Sequence, residues 1–279
     1  MSSPTPVRLA AADRSAEGAD GRHTGWRADA PPAASIHERV LSVVAGRICR
    51  GEDGLPDPDG CLDLMCAAAI ASDAAFDRAL AQLRLQHGLS DEELVDCYIP
   101  AAACRLGTDW SDNRRSFAEV TIATARLIRT VRDISAGWNA DAVADCRAPV
   151  MMMVVPEAEQ HRLGAMVAAS RFRRLGVSVQ MLLGCGPAEV VERARNGAFD
   201  VLSFSLATPS RVEETRRVIQ MIRDTLSRVP PIVVGGAIPM GADELRAHVG
   251  ADHVASDPEE ALRLCGVSCP RRGSAGVAP

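Results

Sequence analysis

Between residues 148 and 268, short apolar runs alternate with longer segments that carry apolar residues at helical spacing. The apolar runs are APVMMMVVP, VSVQMLLG, FDVLSFSLA and PPIVVGGA, followed by a weaker fifth run, ADHVAS. The helical segments are HRLGAMVAASRFRRLG, PAEVVERARNG, RVEETRRVIQMIRDTLSRV and PEEALRLCG. Apolar strands that alternate with amphipathic helices are typical of a parallel sheet covered on both faces. The pattern predicts an α/β, doubly wound, Rossmann-like domain over 148–268.

The preceding residues, 36–136, carry helical spacing throughout and no strand-like run. Their segments are SIHERVLSVVAGRICR, LDLMCAAAIA, DAAFDRALAQLRLQHG, SDEELVDCYIPAAACRLG and RRSFAEVTIATARLIRTVRDIS. Ser90 and Glu93 form a capping box, and Pro100 lies within an apolar run, where it predicts a kinked or split helix. These residues predict an all-helical bundle. The segment GWNADAVADCRA that follows is interpreted as a linker.

The two ends of the chain have no such periodicity. Residues 1–34 predict a disordered tail and residues 269–279 a flexible one. The N-terminus has no compact apolar segment of the signal-peptide type, and no apolar run reaches the length of a membrane span. We therefore expect a cytoplasmic protein without membrane contact. The nine Cys then predict thiols that pack as small hydrophobes.

Charge narrows the function classes further. The chain of 279 residues has a net charge of −5, and its 31 basic residues are all Arg. An acidic chain is a poor partner for phosphates, so we expect no strong direct binding to nucleic acid. The absence of Lys excludes Schiff-base and P-loop chemistry, which both need a lysine.

Ligands of a parallel sheet bind beyond the carboxyl ends of its strands, where this sequence carries polar residues and glycines. The loop after the first predicted strand contains Glu159, His161 and Gly164. Imidazole is a common metal ligand, and a ligating His usually donates its other ring N–H to a carboxylate. Glu159 is placed for that role, and Gly164 lets a bulky group approach the start of the helix. A surface loop with an incidental His remains the alternative.

The third and fourth strands add to this edge. The third ends at Ser205, whose hydroxyl can bind a ligand, and the fourth ends at Gly235 and Gly236, which leave space for a flat or long group. Each feature alone is also compatible with an ordinary strand end. Their shared position at the carboxyl edge is what predicts a ligand site.

Together, these residues resemble the DxHxxG, SxL and GG motifs of cobalamin-binding domains over 148–268. They are Glu159-x-His161-x-x-Gly164, Ser205-Leu206-Ala207 and Gly235-Gly236. The resemblance implies cobalamin as the cofactor, with His161 as the lower axial ligand of cobalt in place of the nucleotide base. It also implies a slot for the displaced base, floored by Ser205 and the two glycines. This chain departs from the motifs at Glu159, where the family has Asp, and at Ala207, where it has Leu.

The predicted bundle carries a second resemblance. The segment GTDW, ending at Trp110, is similar to the tryptophan-bearing segment of bundles that cap the upper face of cobalamin. Light-sensing members of that group have an acid and a His a short distance after the Trp. The run Phe117-Ala-Glu-Val-Thr121 in this position resembles the AerR/PpaA family of cobalamin-binding antirepressors of photosynthesis genes. Trp110 as a plain core residue remains the alternative.

Three functions compete on these observations. The AerR/PpaA resemblance implies a non-enzymatic, light- or redox-responsive antirepressor that contacts a DNA-binding transcriptional repressor. The acidic composition favours that reading, and so does a length too short for the substrate-binding barrel of a corrinoid mutase. A corrinoid methyl carrier of a methyltransferase system shares the bundle-plus-sheet plan. A receiver-like module needs a Lys, which this chain lacks. The upper ligand of the cobalt, whether adenosyl, methyl or hydroxo, is left open.

Overall fold

The computed structural model describes residues 60–143, 148–157, 159 and 161–268. All of them belong to one compact unit. The predicted tails at 1–34 and 269–279, and the predicted helix SIHERVLSVVAGRICR, lie outside the described residues. Helices come first and a parallel sheet follows, so the predicted fold class is confirmed.

Within the described residues, the first helix begins at Cys61. The elements of the helical part are α1 (Cys61–Ala71), α2 (Asp73–Gln86), α3 (Asp91–Glu93), a π-helical turn (Leu94–Tyr98), α4 (Ile99–Ser111) and α5 (Phe117–Val143). The predicted capping box is present at the start of α3: the N–H of Ser90 donates to the carboxylate of Glu93, and the N–H of Glu93 donates to the hydroxyl of Ser90. Such reciprocal bonds satisfy backbone N–H groups that a helix leaves without partners.

Pro100 does interrupt its helix, as predicted. The turn before it widens into the π-helical form, and the N–H of Ile99 donates to the carbonyl of Leu94, five residues earlier. A proline has no N–H and its ring collides with the carbonyl four residues before it. The wider π turn accommodates that collision, and the chain continues as α4.

Helix α5 is longer than the sequence predicts. The apolar spacing ends near Ser135, but the helix continues to Val143, so residues 137–143 are helical where a linker was expected. One contact explains part of the extension. The guanidinium carbon of Arg174 lies 4.6 Å from the ring centroid of Trp138, which fixes this part of the helix against another element.

The sheet has five parallel strands in the order β2-β1-β3-β4-β5. They are β1 (Val150–Pro156), β2 (Ser178–Cys185), β3 (Val201–Leu206), β4 (Ile232–Gly236) and β5 (His253–Val254). The chain moves from β1 outward to β2 and then returns to the other side of β1 with β3. The switch point of such a sheet lies between the carboxyl ends of β1 and β3.

Helices cover both faces of the sheet. They are α6 (Arg162–Arg174), α7 (Pro187–Asn196), a 3-10 turn (Pro209–Arg211), α8 (Val212–Thr225), α9 (Ala242–Val249) and α10 (Pro258–Leu264). Met151 and Met153 pack with α6 and α10 on one face, whereas Met152 packs with α7, α8 and α9 on the other. The alternation along β1 explains why this strand is apolar at every position.

Helix α6 belongs to two cores. Ala165 and Phe172 pack against the sheet, while Met166 and Val167 join the core of the helical part. The bundle therefore rests on the helix that starts directly after His161. Among the described helices, none combines the length and hydropathy needed to cross a membrane.

Candidate functional site

A cavity of about 550 Å³ lies between the bundle and the carboxyl edge of the sheet. Helices α4 and α5 line one side with small and apolar residues, among them Ala103, Gly107 and Ala125. The other side is formed by α6 and by the residues that follow β1, β3, β4 and β5. This is where the topology of a parallel sheet places a ligand.

The Glu159–His161 pair forms the polar part of this edge. Nδ1 of His161 lies 2.6 Å from Oε1 of Glu159, which also accepts the backbone N–H of His161 at 3.0 Å. Glu159 is almost fully buried, whereas a quarter of the His161 side chain is exposed and the residue lines the cavity. The carboxylate therefore lies behind the imidazole, on the side away from the cavity.

Three further donors hold the second oxygen of this carboxylate. Oε2 of Glu159 accepts the N–H groups of Ala207 and Thr208, at 3.1 and 3.2 Å, and the hydroxyl of Thr208 at 3.1 Å. Ala207 and Thr208 directly follow β3, so the carboxylate joins the two loops across the switch point of the sheet. Sequence patterns did not indicate Thr208, because a hydroxyl after a strand has no spacing signal.

These hydrogen bonds determine the charge of Glu159. Burial raises the pKa of this carboxyl, but hydrogen bonds from the ring and backbone of His161 and from the backbone of Ala207 outweigh burial and lower the pKa to about 2. The group is thus a carboxylate at neutral pH, and it can only accept hydrogen bonds. The proton of a neutral His161 ring then resides on Nδ1, and Nε2 carries the lone pair that a metal can bind.

The two glycines at the end of β4 are packed against backbone. Gly236 has φ +121°, and a Cβ at this position would lie 1.8 Å from the carbonyl oxygen of Leu206. A Cβ at Gly235 would lie 3.2 Å from the carbonyl oxygen of Ala255. Both glycines line the cavity. The strand end therefore requires glycine for close backbone packing as well as for space.

The remaining predicted residues are divided between the two sides of the cavity. Gly164 and Ser205 line the sheet side, so they lie with His161, Gly235 and Gly236 around one space. Trp110 lines the bundle side, where its ring centroid is 6.0 Å from that of Phe117. Trp110 is 38% exposed, which argues against a plain core role. Six of the seven predicted site residues line the cavity, and Glu159 reaches it through His161.

Glu119 has a structural role instead. Its carboxylate accepts the backbone N–H and the hydroxyl of Ser116, both at 2.8 Å, in a second capping box at the start of α5. These bonds lower its pKa, and the residue is not part of the cavity wall. The wall next to it is formed by Val120 and Thr121. Glu119 therefore caps the N-terminus of α5.

Comparison with known proteins decides the family. The B12 binding domain family matches residues 149–265. The 20.5 kDa protein in the bchF-crtJ intergenic region of Rhodobacter capsulatus is 32% identical over 166 residues, which are 60% of this chain and 86% of that protein. The chain belongs to the B12-binding domain family. Its cofactor is cobalamin.

Two further matches extend over the helical part of this B12-binding protein. The HTH-type transcriptional repressor CarH of Myxococcus xanthus is 27% identical over 241 residues, or 83% of this chain and 75% of CarH. The monomethylamine corrinoid protein of Methanosarcina barkeri has the same fold, with a TM-score of 0.58 and 15% identity. That likeness covers 74% of this chain and 95% of the corrinoid protein.

The residues of this B12-binding protein fit a corrinoid. Among the described residues, no group of three or more His, Cys, Asp or Glu side chains is arranged to hold a metal ion. A cofactor that brings its own metal ligands would suit this cavity, and a corrin ring has such ligands in its nitrogens. His161, which lines the cavity with the Glu159 carboxylate behind its ring, would be the side chain that holds the metal of such a cofactor.

Glu159→Gln tests the carboxylate behind His161. An amide places a neutral group in the same space, so the tautomer and the orientation of the His161 ring become less fixed. We expect cobalamin affinity to fall about 10–100-fold, as is usual when a partner of a metal ligand is changed. Titration of the purified protein with cobalamin, followed by visible absorption, measures this change.

Thr208→Ser is the matched control for that experiment, because it retains the hydroxyl that donates to Glu159. Its affinity should stay within about threefold of the wild type, since no hydrogen bond is lost. Equal affinities for Glu159→Gln, Thr208→Ser and the wild type would contradict the role of the carboxylate.

Proposed function

We propose that this protein is a cobalamin-dependent transcriptional regulator without enzymatic activity. It acts as an antirepressor by contact with a DNA-binding repressor of photosynthesis genes. The state of its cobalamin, set by light or redox conditions, controls that contact. The observation that carries the proposal is His161, backed by the buried Glu159 carboxylate, on the wall of a cavity that the bundle and the sheet share.

His161 is the lower axial ligand of cobalt in this proposal, bound through Nε2. Glu159 holds the ring in the required tautomer, and Thr208 and Ala207 hold Glu159. Cobalamin, when bound, supplies a cobalt centre whose upper ligand can be exchanged or cleaved. Gly164 leaves room at the start of α6, and Ser205, Gly235 and Gly236 line the slot for the displaced nucleotide base.

Trp110 takes the opposite side of the cofactor. It lies on α4, across the cavity from the sheet, and its contact with Phe117 joins α4 to α5 at that side. An upper ligand between the corrin and this aromatic pair would bear on the bundle directly. A ligand shifts a conformational balance only as far as it prefers one form, and the size of the upper ligand provides such a preference here.

The relatives support regulation as the outcome of binding. CarH is by name a transcriptional repressor, and its similarity to this chain includes the helical part. The Rhodobacter capsulatus relative is named for the bchF-crtJ intergenic region. The net charge of −5 favours action through a protein partner, because duplex DNA requires a surface that neutralises phosphates.

The partner experiment is a capture assay. The wild type should retain the operator-binding repressor from the same organism in a manner that depends on the cobalamin form and on illumination. In the wild type, partner affinity should differ at least about tenfold between cobalamin states, which is within the usual range for two linked sites. In His161→Ala this difference should disappear. Immobilised wild type and variant, each with adenosyl-, methyl- or hydroxocobalamin, give the comparison.

Two results would contradict the antirepressor role. One is partner capture that is the same for all cobalamin forms and for the cofactor-free protein. The other is transfer of a methyl group from bound methylcobalamin to a second protein, which would make this chain a corrinoid methyl carrier. Direct binding of the isolated protein to duplex DNA at physiological salt would contradict the assignment of a protein partner.

A further inference from the structure

A cluster of charged side chains joins the bundle to the sheet next to the cavity. One terminal nitrogen of Arg174 donates to both carboxylate oxygens of Asp96, at 2.5 and 2.7 Å. Asp96 lies in the π-helical turn before α4, and Arg174 lies at the end of α6. Both hydrogen bonds of this pair therefore cross between the helical part and the sheet domain.

Arg171 connects this pair to the cavity wall. Its Nη2 lies 3.0 Å from Oδ2 of Asp257, and its Nε lies 3.8 Å from Oδ2 of Asp96. Arg171 and Asp257 both line the cavity. The guanidinium is thus shared between a carboxylate on the cavity wall and a carboxylate on the bundle.

The guanidinium of Arg174 also stacks on Trp138 from α5, with its central carbon 4.6 Å from the ring centroid. Arg174 therefore contacts two segments of the bundle, the π-helical turn before α4 and helix α5. The side chains of Asp96, Arg171 and Arg174 are each about one-fifth to one-quarter exposed. Charge pairs at this depth are screened less than surface pairs, so their loss has a larger effect.

Helix α6 places the cluster in line with His161. The helix begins one residue after His161, and its 13 residues span about 20 Å. The predicted cobalt ligand precedes one end, and the Arg pair that holds the bundle lies toward the other. A rigid helix with a ligand at one end and a domain contact at the other is suited to couple the two.

We propose that Asp96, Arg171, Arg174 and Trp138 form a latch that holds the bundle over the cavity. Arg171, through Asp257, links this latch to occupancy of the cavity. These are positioning residues that act through the bundle and do not touch cobalt. The inference rests on the proposed function, since it assigns the coupling between cofactor and bundle to named residues. Cobalamin enclosed by a closed bundle leaves slowly, and a weakened latch speeds its release.

Asp96→Asn tests the latch, because it keeps the shape of the side chain and removes its charge. We expect the dissociation rate of hydroxocobalamin to rise about 5–50-fold, within the usual range of coupling between two sites. The visible spectrum of the bound cofactor should be unchanged, since His161 is intact. Hydrogen exchange of the cofactor-free variant should be faster in residues 94–98, where the π turn loses its anchor.

Asp91→Asn is the matched control. Asp91 pairs with Arg84 at 2.8 Å within the bundle, and the pair does not involve α6. The rate at which hydroxocobalamin dissociates from Asp91→Asn should stay within about twofold of the wild type, because an exposed ion pair contributes little. Equal rates for Asp96→Asn and Asp91→Asn would overturn the proposal.

A double-mutant cycle separates the latch from a general loss of bundle stability. Asp257→Asn retains an N-cap for α10 but removes the charge that Arg171 shares. We expect the effects of Asp96→Asn and Asp257→Asn on dissociation to differ from additivity by about threefold or more. Additive effects would overturn the role of Arg171. If the visible spectrum of the wild-type protein shows no histidine bound to cobalt, the proposed cofactor site is wrong. Hydrogen exchange would still test the latch, because it is measured on the cofactor-free protein.

Discussion

His161→Ala is expected to abolish cobalamin binding or to weaken it by more than about 100-fold. The variant removes the axial ligand itself, and loss of a partner behind a metal ligand already costs 10–100-fold. It also leaves the Glu159 carboxylate buried without the imidazole that donates to it. Any cofactor that still binds should keep its nucleotide base on cobalt, which the visible spectrum reports.

His248→Ala is the control for this variant. His248 is exposed on α9, which packs on the sheet face away from α6 and α10, and it does not line the cavity, so its loss should leave affinity and spectrum unchanged. Stoichiometric binding by His161→Ala, with the spectrum of the wild type, would contradict the assignment of the cobalt ligand.

Gly236→Ala should destabilise the protein by about 2–4 kcal/mol. The position has φ +121°, which L side chains rarely adopt, and the added Cβ would lie 1.8 Å from the carbonyl oxygen of Leu206. At 2–4 °C per kcal/mol for a domain of this size, we expect Tm to fall by roughly 5–15 °C. Because β3 and β4 must separate, cobalamin binding should weaken as well.

Two other glycines calibrate this result. Gly235→Ala meets the carbonyl oxygen of Ala255 at 3.2 Å, so a smaller loss is expected. Gly137 is exposed within the C-terminal part of α5 with nothing within 4 Å of an added Cβ, so Gly137→Ala should stabilise the helix by about 0.5–1 kcal/mol. Thermal unfolding of the three variants gives the order directly. An equal Tm for Gly236→Ala and the wild type would show that the strand end is not packed as described.

The sheet could be predicted from the sequence because its strands are apolar at almost every position. All five strands form where those runs predicted them. Helix α9 was missed, since only Leu245 and Val249 are buried in it and it begins at a glycine rather than at a polar cap. The extension of α5 was missed because its anchor, Arg174, is distant in sequence and gives no local signal.

The local part of the site could be predicted from the sequence, whereas its contacts between distant residues could not. His161 and its carboxylate are two residues apart, so their pairing is a local property of one loop. Thr208 approaches Glu159 from 49 residues away, and Asp96 approaches Arg174 from 78 residues away. Contacts of this kind depend on how elements pack, and the sequence has no periodicity that reports them. Glu119 lies in the run that resembles the AerR/PpaA family, and its hydrogen bonds to Ser116 assign it to a helix cap.

The most direct test of the central claim identifies the nitrogen below the cobalt. Protein labelled uniformly with nitrogen-15 is loaded with unlabelled cobalamin, reduced to the Co(II) state and measured by electron paramagnetic resonance. If His161 is the axial ligand, each cobalt line is split into a doublet by the nitrogen-15 nucleus of the protein, and His161→Ala loses this splitting. A triplet in the labelled protein would mean that the cofactor's own base remains on cobalt, and it would contradict the account.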